Sequence, residues 1–280
     1  MRFGVTIFST DVSMPVHDLA VAAEERGFDS VWIPEHTHIP TSRRTPPPTG
    51  EAELAEEYKR SVDPIVALAA AAARTSTIRL GTGVLLPAQR DPIVTAKAVA
   101  TLQNLSGGRF EMGIGFGWNE DEMEDHGVGY RTRRAHAREH VLAMQALWRD
   151  DEASFDGEYV TIPPTWSWPK PDRPVPVLIG GGAGPKMFAH LAEYADGWIP
   201  IGGAGLTEAI PRYRDAVAAA GRDPEQMQIV PFGSLPTPEK LEHFAAIGVT
   251  ECVFRIPSAP TEQVMTVLDQ QAALIAELRA

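Results

Sequence analysis

The chain has 280 residues, 44% of them apolar, with a formal net charge of -12 and one cysteine. No apolar run reaches the roughly 20 residues of a membrane-spanning helix. The acidic balance, without a compensating basic block, opposes binding to nucleic acid or to an anionic membrane surface. Cys252 has no second cysteine to pair with, which fits a reducing cytoplasm, and a small molecule is the expected partner.

The pattern alternates strand and helix along the chain. A strand over 2–8 starts it with no secretory leader pattern ahead of it, so a cytoplasmic location is expected. A helix over 15–26, a strand over 30–34, a helix over 63–74, a strand over 78–86 and a helix over 92–105 follow. The fourth strand, 109–114, leads to a helix over 131–148, and strand 176–180 to a helix opening at Pro185. Strand 197–201 with helix 207–220, strand 228–233 with helix 238–247, and strand 251–256 with helix 261–278 complete eight units. Eight βα units in a chain of this length predict an α/β fold, a single (β/α)8 TIM barrel forming one domain over 1–280; a doubly wound sheet is the competing architecture.

Two insertions stand out. The connection over 37–59, with ThrProProPro at 45–48, is far longer than an ordinary βα loop and reads either as a lid or as an excursion without a role. The stretch 154–162 reads as a small hairpin turning at Asp156-Gly157, ahead of a proline- and tryptophan-rich run over 166–171.

In a barrel the chemistry belongs at the C-terminal ends of the strands. The stretch LSGGRFEMGIGFGWNEDE over 105–122 has a turn, a short strand and an exit from which Gly113, Gly115 and Gly117 remove the side chains. Such a backbone admits a flat ligand, or simply suits a barrel strand. It is not a dinucleotide fingerprint, because Trp118 occupies the sixth position of G-x-G-x-x-G.

His36, at the end of strand two, is a candidate proton donor or acceptor, with an ordinary loop histidine as the alternative. The His36-x-His38 spacing has no further ligand-like cluster to complete a metal site, and none is expected. His136 and His140, four apart on a helix, read as solvent-facing, and the acidic run over 120–125 reads as a solvated loop. The run Gly180-Gly181-Gly182-Ala183-Gly184-Pro185-Lys186 opens a helix whose free N–H groups favour a phosphate; Met187, where a Walker motif needs serine or threonine, excludes that motif.

Taken in order, VWIPEHTHIP over 31–40, the segment 80–122, Arg133 with Glu139 and Trp148, and LIGGGAGP through ADGWIP over 178–200 are specific as a set. On these landmarks the chain resembles the luciferase-like monooxygenase superfamily, in its branch of coenzyme F420-dependent oxidoreductases of actinobacterial type. The resemblance implies a deazaflavin or flavin ring across the mouth of the barrel, and hydride transfer between F420 and a small organic substrate. It implies a cis peptide joining Gly83 to Val84, a cofactor phosphate held by Gly181, Gly182, Ala183 and Gly184, and His36 as the active-site histidine. Glu35, Gly115, Phe116, Trp118 and Asn119 are carried over as cofactor-site lining. Where sugar-phosphate dehydrogenases of the superfamily place a catalytic glutamate, this chain has Trp118. An FMN-dependent monooxygenase served by a flavin reductase, and a cofactor-binding barrel without turnover, are the alternatives; the resemblance also implies a homodimer.

Overall fold

The computed structural model describes residues 1–42, 44–46 and 53–279. In chain order its elements are β1 (Arg2–Thr6), α1 (Val16–Glu25), β2 (Ser30–Ile33), α2 (Pro64–Ala72), β3 (Arg79–Thr82), α3 (Pro92–Leu105), β4 (Phe110–Ile114), α4 (Glu120–Asp125) and α5 (Arg133–Arg149). There follow β5 (Ala153–Asp156), β6 (Thr161–Thr165), β7 (Val177–Gly180), α6 (Pro185–Tyr194), β8 (Gly197–Ile199), α7 (Leu206–Ala219), β9 (Gln228–Ile229), β10 (Phe232–Ser234), α8 (Pro238–Ala246), β11 (Glu251–Arg255) and α9 (Thr261–Arg279).

Local chemistry sets where helices begin. Asp63 and Asp91 each precede a proline and accept a hydrogen bond from Val66 N and Val94 N, capping α2 and α3. An aspartate N-cap followed by proline satisfies one free donor and supplies a residue that needs none.

The parallel strands run β10-β11-β1-β2-β3-β4-β7-β8-β9. The strand expected over 228–233 is split at Pro231, which has no N–H to give to a ladder. Its two halves still bond both neighbours. Val230 N and Phe232 N donate to Trp198 O and Pro200 O at 2.9 Å, while Ile229 O and Pro231 O accept from Thr250 N and Val253 N at 3.0 Å. Counting β9 and β10 as one interrupted stave, the ring closes on eight strands, the expected (β/α)8 barrel.

The inside of the ring is layered. Trp32, Leu178, Ile199, Val230, Phe232 and Val253 fill the middle. Gly81 leaves the space that the Trp32 ring occupies, since a Cβ there would overlap it. Below them, at the N-terminal end, Arg79 bridges Glu111 at 2.7 Å and Glu251, which also accepts from Ser30. Paired charges at that end close the barrel floor and leave the C-terminal mouth for function.

Several expectations need correction. Strand three is shorter than 78–86: after Thr82 the backbone turns through a cis Gly83–Val84 peptide, as the resemblance implies, into a 3-10 turn at Pro87–Gln89. Pro87 cannot continue a ladder, and Leu86 N donates instead to the Glu35 carboxylate. His140 does not face solvent; it is buried with Nδ1 2.8 Å from Pro87 O, and His136 stacks against the Tyr159 ring at 3.9 Å. The hairpin over 154–162 is present as β5 paired with β6. Of the proposed lid over 37–59, residues 43 and 47–52 lie outside the described residues; the described part includes a buried Tyr58 on a 3-10 turn.

Candidate functional site

A cavity of about 420 Å³ opens at the C-terminal mouth. Its wall comes from the residues just past the strands: Phe8 after β1, His36 after β2, Val84 after β3, Phe116 and Trp118 after β4, Gly181 after β7 and Ile201 after β8. This volume lies in the range of small-molecule sites. A larger cleft of about 800 Å³ runs along α6 and α7, lined by Phe188, Ala216 and Arg212 on the outside of the barrel and away from the strand ends.

His36 is 9% exposed at the cavity edge, and its Nδ1 lies 2.8 Å from Glu122 Oε2. Glu122 is 0% exposed, and its second oxygen, Oε1, has no protein partner among the described residues. The acidic run over 120–125 is therefore not simply a solvated loop. It forms α4, which turns Glu122 and Met123 inward while Asp121 and Glu124 meet Arg44 and Asp125 meets His38. Met123 accounts for the geometry: one apolar anchor on so short an element fixes which face is buried. A carboxylate on one imidazole nitrogen selects the tautomer and leaves Nε2 free for a proton from the cavity. The rings of Tyr58 and Trp118 flank His36 at 5.3 Å and 5.8 Å, so the surroundings of that nitrogen are aromatic and apolar.

The glycines of the β4 exit have a packing cause. A Cβ on Gly115 would lie 2.5 Å from Val84 Cγ2, and one on Gly180 would lie 3.0 Å from Val84 Cγ1. Val84 is thus seated between two bare strand ends and forms part of the cavity wall. Glu35 fixes the loop that carries it: Oε2 accepts from Leu86 N at 2.7 Å, Oε1 accepts from Arg90 Nε at 2.5 Å, and Arg90 reaches Asp63 at 2.7 Å. Burial pushes the Glu35 carboxyl up, and the Arg90 guanidinium and the Leu86 N–H oppose this. Both contacts require an acceptor, and the geometry is that of an ionised carboxylate. Its oxygens are taken up by these internal bonds even though the residue borders the cavity.

At the opposite edge the lining is cationic. Arg133 and Arg134 occupy the first turn of α5, where the helix dipole disfavours positive charge. Arg133 donates to Tyr130 O at 2.7 Å and to Gly117 O at 3.3 Å. Arg134 lies over the Phe116 ring at 4.7 Å and has no acidic partner among the described residues. Burial, then Arg133, pushes its pKa down. Gly181 lines the cavity beside it, with Gly182 and Ala183 exposed and Gly184 immediately before α6. Asn119 sits behind the wall, 1% exposed, with both amide atoms unpartnered among the described residues.

Reasoning from sequence missed Glu122, Arg134 and Tyr58. Two arginines in a helix's first turn were a legible signal for an anion. Asn119 followed three residues later by Glu122, the spacing of an N-cap and a first-turn carboxylate, was the signal for a helix start carrying Glu122.

The sequence profile of the luciferase-like monooxygenase family matches residues 1–242. An uncharacterized protein of Mycobacterium tuberculosis is 44% identical over 280 residues, covering 99% of each chain. An F420-dependent glucose-6-phosphate dehydrogenase of Kineococcus radiotolerans is 34% identical over 224 residues, which are 75% of this chain and 60% of that protein. Among solved structures, a monooxygenase from Streptomyces bottropensis superposes with a TM-score of 0.80 at 21% identity, covering 100% of both chains. An F420-dependent secondary alcohol dehydrogenase in complex with an F420-acetone adduct superposes with a TM-score of 0.77 at 19% identity, covering 96% of this chain and 98% of that one.

Proposed function

The chain belongs to the luciferase-like monooxygenase family, and from that premise we propose that it is an oxidoreductase using coenzyme F420 on a small, largely apolar organic substrate. The observation that carries this reading is His36, held by buried Glu122 at the edge of an aromatic cavity in the barrel mouth. The relatives named F420-dependent dehydrogenases supply the choice of cofactor.

The residues present fit that group. Val84, Leu86 and Ile199 offer an apolar wall to a flat ring, and Arg134 with the Gly181–Gly184 turn offers charge and backbone donors to an anionic tail. When bound, a deazaflavin supplies hydride transfer. His36 takes or gives the proton that accompanies it, through Nε2. Glu122 holds the imidazole in the required tautomer and stabilises it when protonated. Phe8, Tyr58 and Trp118 exclude water around that nitrogen and favour apolar substituents. Trp118 leaves the substrate end without the carboxylate of the sugar-phosphate enzymes.

A second copy of the chain is the partner this reading expects. Val66, Ile93, Val94 and Leu105 expose apolar side chains on the adjacent helices α2 and α3. Sedimentation equilibrium tests it: a dimer is expected, and a monomer at micromolar concentration rejects it.

The test of function is a spectrophotometric assay of F420 reduction with a panel of apolar secondary alcohols and with glucose 6-phosphate. Turnover of one or more alcohols, lost by about two orders of magnitude or more in His36→Asn, is the expected result. Turnover of glucose 6-phosphate, or undiminished activity of the variant, refutes the assignment.

A further inference from the structure

His36 meets the cavity at an edge lined by the Tyr58 and Trp118 rings, and its Nδ1 is aimed at buried Glu122 rather than at solvent. Behind Glu122 lies a polar stripe that the reaction itself does not use. Asn119 is the N-cap of α4, Glu122 stands in the helix three residues on, and His126 is the C-cap four residues after that. His126 remains helical in its bonding, with its N–H donating to Met123 O at 3.1 Å.

This stripe contains open valences. Glu122 Oε1 and both amide atoms of Asn119 are buried without partners among the described residues. Buried polar groups left open in this way are the usual seat of an ordered water, which needs two to four such partners. At the outer end His126 is exposed, and its Nε2 is hydrogen-bonded to Thr37 Oγ1 at 2.8 Å. Thr37 Oγ1 in turn lies 2.9 Å from His38 Nδ1, whose Nε2 lies 3.0 Å from Asp125 Oδ2. These contacts anchor the His126 ring at Nε2, and Nδ1 has no partner among the described residues.

We propose that Asn119, Glu122 and His126 hold a water-assisted proton relay that joins His36 to bulk solvent. The inference rests on the reading of His36 as the group that exchanges a proton with substrate. A proton arriving at His36 Nε2 releases the one on Nδ1 to Glu122 Oε2. Rotation of the Glu122 carboxyl presents that proton on the Oε1 side to the bound water, the water relays it to His126 Nδ1, and His126 gives it to solvent. One proton crosses and no electrons move; Glu122, the water and His126 return to their starting states, while His36 is left with its proton on Nε2 and regains the Nδ1–H form when the route runs the other way. The route runs in reverse when a substrate is reduced.

The groups facing His126 suit this use. Burial and then His38 lower its pKa, Glu122 and Asp125 oppose this, and Arg90 from the β3–α3 connection adds to the lowering.

The test is solvent exchange of the His36 Nδ1 proton, followed by NMR on the purified protein labelled with 15N-histidine, which needs neither cofactor nor substrate. His126→Ala is expected to slow exchange about tenfold or more, and millimolar imidazole in the buffer to restore it. Exchange in His126→Ala within twofold of the parent protein overturns the proposal. A slowing that imidazole does not restore also overturns it, since that marks a structural role. Because this readout is independent of turnover, the relay can fail while the F420 assignment stands, and the reverse.

Discussion

Gly115→Ala probes whether the cavity wall is built on the contact between Val84 and the bare β4 exit. The added Cβ would lie 2.5 Å from Val84 Cγ2, about an ångström short of ordinary van der Waals contact. Val84 is packed between Gly115 and Gly180 and lines the cavity, so displacing its side chain changes the cavity wall. Overpacking of this kind costs about 1–3 kcal/mol. For a chain of 280 residues the expected fall in melting temperature is about 2–5 °C. Narrowing of the cavity is expected to weaken F420 binding about tenfold or more, equivalent to ~1.4 kcal/mol. The assay pairs thermal denaturation with fluorescence titration, using Gly129→Ala as the control, because a Cβ there would meet only Thr132 Oγ1 at 3.5 Å and the position does not line the cavity. A Gly115→Ala protein that melts and binds like its parent refutes the packing argument.

Arg134→Gln removes the cation that has no acidic partner among the described residues. F420 affinity should fall about tenfold and its dependence on salt should flatten; an unchanged salt dependence places the anionic tail elsewhere. Glu139→Ala takes away the carboxylate that accepts from Glu158 N, Tyr159 N and Val160 N, and should cost about 2 kcal/mol with faster amide exchange in β5 and β6 while F420 affinity is retained. For Glu24, burial pushes the carboxyl up but the N–H groups of Ile78, Thr77 and Ser76 outweigh it, and the pKa falls from 4.5 to about 2. A folded pKa below the unfolded one adds stability that is complete above pH 5 and is lost as pH falls from about 5 to 2. After discounting for solvent screening, Glu24→Gln should remove on the order of 1–2 kcal/mol at pH 7 and flatten that part of the acid limb; parallel acid denaturation curves for the two proteins would contradict this.

The barrel was legible because its staves are apolar and short while several helices open on a proline, as at Asp63-Pro64, Asp91-Pro92, Gly184-Pro185 and Thr237-Pro238. What escaped has specific physical causes. Pro231 divides a stave that the apolar pattern joins, because the break costs a donor rather than an apolar side chain. The strand read over 78–86 ends at Thr82 because Leu86 N is claimed by Glu35, a bond between residues 51 apart that periodicity cannot register. Glu122 was hidden in a run of acids: composition gives the run a solvated face, and only the seating of Met123 decides which carboxylate turns inward. His36 was legible from its place at the end of strand two, while the cis Gly83–Val84 position came from the resemblance alone; both lie at the cavity.

The most direct measurement is an equilibrium fluorescence titration of the purified protein with F420 and with FMN, at one salt concentration. Saturable binding of F420, with FMN binding weaker by two orders of magnitude or more, is the result this account predicts. Preference for FMN, or binding of neither, contradicts it.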